Sequence, residues 1–130
     1  MTRQWGPDVE IRVLGPVELW AGGAALGAGE RRQRAVLAGL VVDAGRTVGT
    51  DTLVDRVWGG EPPQQARRTL HAHISRIRGL LAKADAQQAP QLERSSAGYR
   101  LVVEPERVDL LRFRALVQRA RSDRTSAADR

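Results

Sequence analysis

The sequence predicts an α+β domain: an N-terminal antiparallel sheet, a three-helix core and a C-terminal β-hairpin. Three observations carry that prediction. Val9, Ile11 and Val13 alternate with Glu10 and Arg12, the period of two expected of a half-buried strand. Between residues 30 and 84 the apolar spacing becomes helical and is punctuated by Gly45 and by Gly59-Gly60. After residue 90, "QLERSSAGYRLVV" returns to two short extended runs around a small, polar, glycine-containing turn. With 130 residues, the chain has room for one modest core and not for two.

The elements follow in order. Gly15-Pro16 turns the first strand into a second through Val17 and Leu19, and the glycine-rich "AGGAALGAGE" fits a hairpin turn with a third short strand around Ala24 to Leu26. Those glycines lack a following Gly-Lys-Ser/Thr and no long strand feeds them, so they read as a turn and not as a phosphate loop. Val36, Leu37, Leu40 and Val41 place a first helix from Glu30 to about Asp43, ended by Gly45. "RTVGTD" is a short extended link. Leu53, Val54, Val57 and Trp58 make a second helix, with Thr50 or Asp51 as N-cap and a stop at Gly59-Gly60. "EPPQQ" prepares a third helix from about Gln64 to Ala84, since a proline is well tolerated in a first turn. "DAQQAP" closes that helix with a loop. A last amphipathic helix carries Leu110, Leu111, Phe113, Leu116 and Val117 from Asp109 to about Arg121, and "SDRTSAADR" reads as a frayed tail.

Composition narrows the function classes. Hydrophobic residues at 42% and charged ones at 28% are the mixture of a folded globular chain. Aromatics at 4% leave a core of Leu, Val, Ile and Ala, with Trp20, Trp58, Tyr99 and Phe113 as its few bulky pieces. No cysteine is present, which excludes disulfides, thiolate zinc sites and cysteine nucleophiles. "MTRQWGPDVEIRV" has no signal-type apolar region and the longest apolar run, "AVLAGLVV", is far short of a membrane span, so a soluble cytoplasmic protein without a membrane partner is expected. The net charge of +6 favours polyanionic partners.

That charge is concentrated in one place. "RRTLHAHISRIRGLLAKA", residues 67–84, holds five permanently basic side chains and no carboxylate. At about 100° per residue, Leu70, Ile74, Ile77, Leu81 and Ala84 gather into one apolar stripe roughly 80° wide. Gln65, Arg68, Ala72, Ser75, Arg76, Gly79 and Lys83 lie opposite, with His71 and Arg78 at the flanks and Thr69 near the edge. A solvated helix face ordinarily interleaves acids and bases, so this one accepts repulsion that an anion would relieve. The small residues Ala72, Ser75 and Gly79 let the backbone approach a groove floor while Arg68 and Arg76 reach phosphates or guanine edges. A third helix of this kind followed by a hairpin, in which Arg94 and Arg100 are placed to lie over a minor groove, describes a winged helix-turn-helix.

With a sheet ahead of its first helix, the chain resembles the OmpR-type output domains of response regulators. "RVLGPVEL", "RRQRAVLAGLVVDAGRTV", "LVDRVWGG", "PPQQARRTLHAHISRIRGLLAKA", "SAGYRL" and "VDLLRF" stand in the order found in Streptomyces antibiotic regulatory proteins, over about residues 9–121. The resemblance implies a transcriptional activator that recognises tandem direct repeats of double-stranded DNA beside a promoter and recruits RNA polymerase. It also implies contacts by Arg68, Thr69, His73, Ser75, Arg76 and Arg78: Arg76 reads bases, while Arg68, Thr69, His73 and Arg78 fix register on phosphates. Thr50 and Trp58 match backbone-contacting positions of the second helix, Trp58 being equally suited to the core. The loop with Gly60, Glu61 and Gln64 matches the segment through which such domains touch polymerase and its sigma factor. The wing departs from the family pattern. Arg94-Ser95-Ser96-Ala97-Gly98 shifts the wing arginine by one residue, which in a strand turns its side chain to the other face.

The implied organisation is a flexible N-terminus at 1–8, the DNA-binding domain at 9–103, and at 104–130 a linker with an amphipathic helix that begins a helical activator domain. A monomer in solution, or a head-to-tail dimer on DNA, suits tandem repeats. The rival reading is a protein-interaction module, docking through Glu61 to Gln65 or Leu110 to Val117, or a regulatory part of a larger signalling ATPase with little DNA binding of its own. No metal site, cofactor or enzyme activity is expected. His71 and His73 point about 200° apart on a helix, Glu104 and Glu106 flank a proline in a turn, and no serine stands in a nucleophile elbow.

Overall fold

A computed structural model describes residues 9–83 and 90–128, with side chains described as far as Arg124. The expected flexible segment 1–8, the loop residues 85–89, Ala84 and the last two residues lie outside it. Three strands open the fold, β1 (Val9–Arg12), β2 (Glu18–Ala21) and β3 (Ala24–Leu26), in a meander of order β1-β2-β3. Gly22 and Gly23 form the two-residue link between paired Ala21 and Ala24, both at positive φ, as a hairpin turn matched to strand twist requires.

Helix α1 (Arg31–Val41) buries Val36, Leu37, Leu40 and Val41, the residues whose spacing predicted it. Next come β4 (Thr47–Val48) and α2 (Thr50–Trp58). Two local expectations are corrected here. The N-cap of α2 is Gly49, in extended conformation, so Thr50 is already helical. The "RTVGTD" link contains β4, whose Thr47 and Val48 pair with Arg100 and Tyr99. Helix α3 (Ala66–Lys83) follows, then β5 (Gln91–Ser95) and β6 (Gly98–Val102), giving a second sheet of order β4-β6-β5. A single turn of 3-10 helix at Pro105–Arg107 leads into α4 (Asp109–Ala128). The helix therefore continues beyond Arg121 through most of the segment expected to fray. None of the described helices is long and apolar enough to cross a membrane.

One core joins these layers. Val9, Ile11 and Leu19 from the first sheet meet Val36, Leu40, Leu53, Leu70, Ile74, Ile77 and Leu101, all essentially inaccessible to water. The first sheet is also tied to the C-terminal segment. Ile11 forms a parallel bridge with Val108, and the Asp109 carboxylate accepts hydrogen bonds from the backbone N–H groups of Val13 (2.9 Å) and Leu14 (3.2 Å). At the wing, Gly98 has φ +144°, and a Cβ there would stand 2.0 Å from the Val48 carbonyl oxygen. A side chain is excluded at that point, and β4 is thereby held close against the hairpin.

Candidate nucleic-acid interface

The interface is built on α3 because that helix is buried along one stripe and free along the other. Leu70, Ile74, Ile77 and Leu81 face the core, as their spacing predicts. Opposite them Arg68, Ser75, Arg76, Gly79 and Lys83 are exposed. Among the described residues no carboxylate forms an ion pair with Arg68, Arg76, Arg78 or Lys83. Arg68 reaches only the neutral Gln65 oxygen, at 3.3 Å. Arg67 is the exception: its guanidinium pairs with Asp51 of α2 at 2.5 Å, with both side chains largely in water.

The flanks of α3 have different neighbours. Arg78 donates from Nε and Nη2 to the Leu92 carbonyl of β5, at 3.2 and 3.0 Å. On the same flank, the Arg94 guanidinium lies 3.5 Å from His71 Nδ1. A guanidinium can only donate, so Nδ1 accepts. Arg94 stands opposite Tyr99 in the ladder and shares the inward-facing side of the wing with Leu92, Tyr99 and Leu101, although the hairpin tip leaves it exposed. Arg100 points the other way and is paired with Glu93 at 2.5 Å.

His73 requires a correction. It is 5% exposed, and its Nδ1 is buried without a hydrogen-bond partner among the described residues, so this nitrogen cannot make the phosphate contact the resemblance implies. The cause lies in the helical wheel. His73 sits about 70° from the centre of the apolar stripe, on the flank opposite His71. The buried sector of α3 is wider there than the stripe alone suggests, because α1 packs against it. Burial, and next Arg76, hold the His73 imidazole below the usual histidine pKa; Arg32 adds to the effect and Glu30 opposes it.

The remaining predicted residues are spread over α2, α3 and the loop between them. Thr69 is half-buried at the edge of the α3 face, and Thr50 is half-buried at the start of α2. Trp58 packs partly against the core, and Arg32 stacks over its ring at 5.7 Å while donating to the Val57 carbonyl at 3.3 Å. Gly60, Glu61 and Gln64 are exposed in the loop between α2 and α3, and Gln64 lines a shallow depression together with Arg67 and Arg68 at the start of α3. The structure thus keeps Arg68, Thr69, Ser75 and Arg76 at the surface of α3, puts Arg94 beside its flank, sets His73 apart in the interior, and adds His71, which the family resemblance did not select. A signal for His71 existed: it lies about 20° from Arg78 around the helix, on the flank that faces the hairpin.

Comparison with known proteins places the chain in a family. Residues 27–101, more than half the chain, match the family model described as "Transcriptional regulatory protein, C terminal". The chain belongs to this family. It is an OmpR-type transcriptional-regulator domain, and its relatives are regulators of the Streptomyces antibiotic regulatory protein type. It is 40% identical over 106 residues to the transcriptional regulatory protein MoaR1 of Mycobacterium tuberculosis, covering 81% of this chain and 34% of MoaR1. It is 38% identical over 115 residues to the transcriptional regulator RedD of Streptomyces coelicolor, covering 87% of this chain and 33% of RedD. The domain therefore spans about a third of the length of these relatives. Among solved structures, Mycobacterium tuberculosis EmbR, in complex with a low-affinity phosphopeptide, superposes with a TM-score of 0.76 at 35% identity, over 83% of this chain and 28% of EmbR. The DNA-binding domain of the response regulator AdeR, in complex with an intercistronic region, shares the fold at a TM-score of 0.56 and 16% identity, over 75% of this chain and 96% of that one.

Proposed function

We propose that this domain serves a cytoplasmic transcriptional activator by sequence-specific binding of double-stranded DNA, with α3 in the major groove and the β5–β6 wing alongside. The observation that carries this reading is the outward face of α3. It is exposed, carries the guanidinium groups of Arg68 and Arg76 without carboxylate partners among the described residues, and is flanked on the wing side by Arg94. Arg76 reads base edges. Arg68 and Thr69 hold phosphates, Ser75 lets the helix sit close to the groove floor, and Thr50 and Trp58 flank the DNA backbone from α2. The operator is a tandem direct repeat, occupied by monomers that meet head to tail. The exposed loop with Gly60, Glu61 and Gln64 faces RNA polymerase. Residues 104–130 lead toward further helical structure, a reading supported by Phe113 and Leu116 of α4, which are 53% and 58% exposed.

Footprinting the protein on the DNA upstream of its own gene tests the proposal. Protection of two or more equally spaced direct repeats is expected, and absence of protection even at low salt rejects it. Competition with a scrambled duplex then tests Arg76. The Arg76→Ala variant should lose about 1–3 kcal/mol of discrimination, with a smaller loss on the scrambled DNA. Equal losses on both would remove Arg76 from base reading.

A further inference from the structure

The wing of this domain meets α3 through two contacts that run in opposite directions. Arg78 of α3 donates twice to the backbone carbonyl of Leu92 in β5, while Arg94 of β5 donates to His71 of α3. Geometry makes them a pair. His71 and Arg78 are seven residues apart, close to two full helical turns, so both project from the flank that faces the hairpin. Leu92 and Arg94 are two residues apart on a strand and therefore share a face. β5 thus runs antiparallel along α3, with residue 92 beside residue 78 and residue 94 beside residue 71.

From this we infer that Arg78 and the Arg94–His71 contact form a reciprocal latch that fixes the wing at a set distance from the recognition helix. Arg78 is accordingly a positioning residue for Arg94 and does not act as an independent phosphate contact. The Arg78 fork is already committed. Two of its donors converge on one backbone carbonyl, an arrangement that a planar guanidinium can make and a lysine ammonium cannot reproduce. Leu92 itself is buried against the core, so the carbonyl it presents is a firm anchor. His71 supplies the second anchor: its ring lone pair aims the Arg94 guanidinium along the DNA-facing side of α3. The wing turn "RSSAG" contains no proline; β4 holds the hairpin on the β6 side, and these side-chain bonds add a restraint on the β5 side.

This inference rests on the DNA-binding reading for its effect on affinity, and its structural part is measurable in the free domain. In that free domain, hydrogen exchange of the β5 and β6 amides should quicken in Arg78→Ala while α1 and α2 exchange as before. Unchanged exchange in the wing would overturn the latch whether or not DNA binds. On the proposed operator, Arg78→Ala should weaken binding about tenfold, and Arg78→Lys should weaken it equally, since the charge remains but the fork is lost. In an Arg94→Ala background, either Arg78 change should cost less than about twofold, because the residue it positions is gone. His71→Leu should act like Arg78→Ala and be equally silent in that background. Full affinity in Arg78→Lys, or additive losses in the double variant, would make Arg78 an ordinary phosphate contact and overturn the inference.

Discussion

Arg12 and Arg112 both lean on Glu10, whereas Arg68 and Arg76 find no carboxylate among the described residues. Arg112 thereby joins α4 to the N-terminal sheet, while Arg12, within that sheet, also stacks over Trp20, 4.1 Å from the ring centre. The second pair lies on a face of α3 that nothing in the described fold covers. The same side chain is thus used in two ways within one small domain. Where Arg ties elements together its charge is answered internally, and where the charge is left unanswered the surface suits a polyanion. The contrast teaches that arginine content alone carries little information in an arginine-rich chain. The location of acids carries more, and along residues 67–84 their absence is visible before any coordinates are known.

Substitutions test this contrast, and the largest effect lies in the core that both regions share. Ile74→Ala should destabilise the domain by about 2–5 kcal/mol, read as a lower denaturation midpoint in urea at unchanged slope. A loss below about 1 kcal/mol would mean that α3 is not seated against the core. Gly98→Ala should come next, because its Cβ would collide with the Val48 carbonyl and the backbone there is left-handed. Lost stability together with a displaced β4–β6 pairing is expected, visible as altered wing resonances in solution NMR. Native-like wing spectra would contradict the close approach.

His73 provides a smaller and pH-dependent effect. The folded protein holds its imidazole below the ordinary value of about 6.5, so the unfolded chain binds the proton more readily. Stability should therefore fall as pH drops below about 6.5, and level off once the folded form is protonated as well. His73→Gln should flatten that part of the profile, measured by urea midpoints between about pH 5 and 7. A profile that the substitution leaves unchanged would assign the acid sensitivity to another group. Smallest of all is Glu10→Gln, which frees Arg12 and Arg112 from partly exposed pairs. It should cost no more than about 1 kcal/mol and leave DNA affinity unchanged.

Much of this molecule was legible in the sequence, for reasons that can be traced to particular residues. Long periodic elements declared themselves: the buried stripe of α3, the α1 quartet from Val36 to Val41, and the hairpin around Ser95 to Gly98. Short or context-dependent features did not. β4 has only two residues, too few to display a period, and it exists because β6 offers it a partner. Gly49 displaced the polar candidates for the N-cap because an extended backbone at that point serves both the β4 turn and the helix start. His73 is buried although the family motif selected it as a surface contact, and its angle on the helix already set it beside the core. The continuation of α4 past Arg121 likewise lacked an apolar signal, as "SDRTSAA" carries no stripe.

The central claim is that the unanswered guanidinium groups of α3, and not arginine in general, hold DNA. The most direct test is the salt dependence of operator binding, comparing the double variant Arg68→Ala/Arg76→Ala with Arg12→Ala/Arg112→Ala. Removing one guanidinium from a phosphate should lower the slope of log affinity against log salt by about 1. A clearly shallower slope and weaker binding are expected for the α3 variant, and the wild-type slope for the sheet variant. Equal slopes for the two variants would contradict the claim.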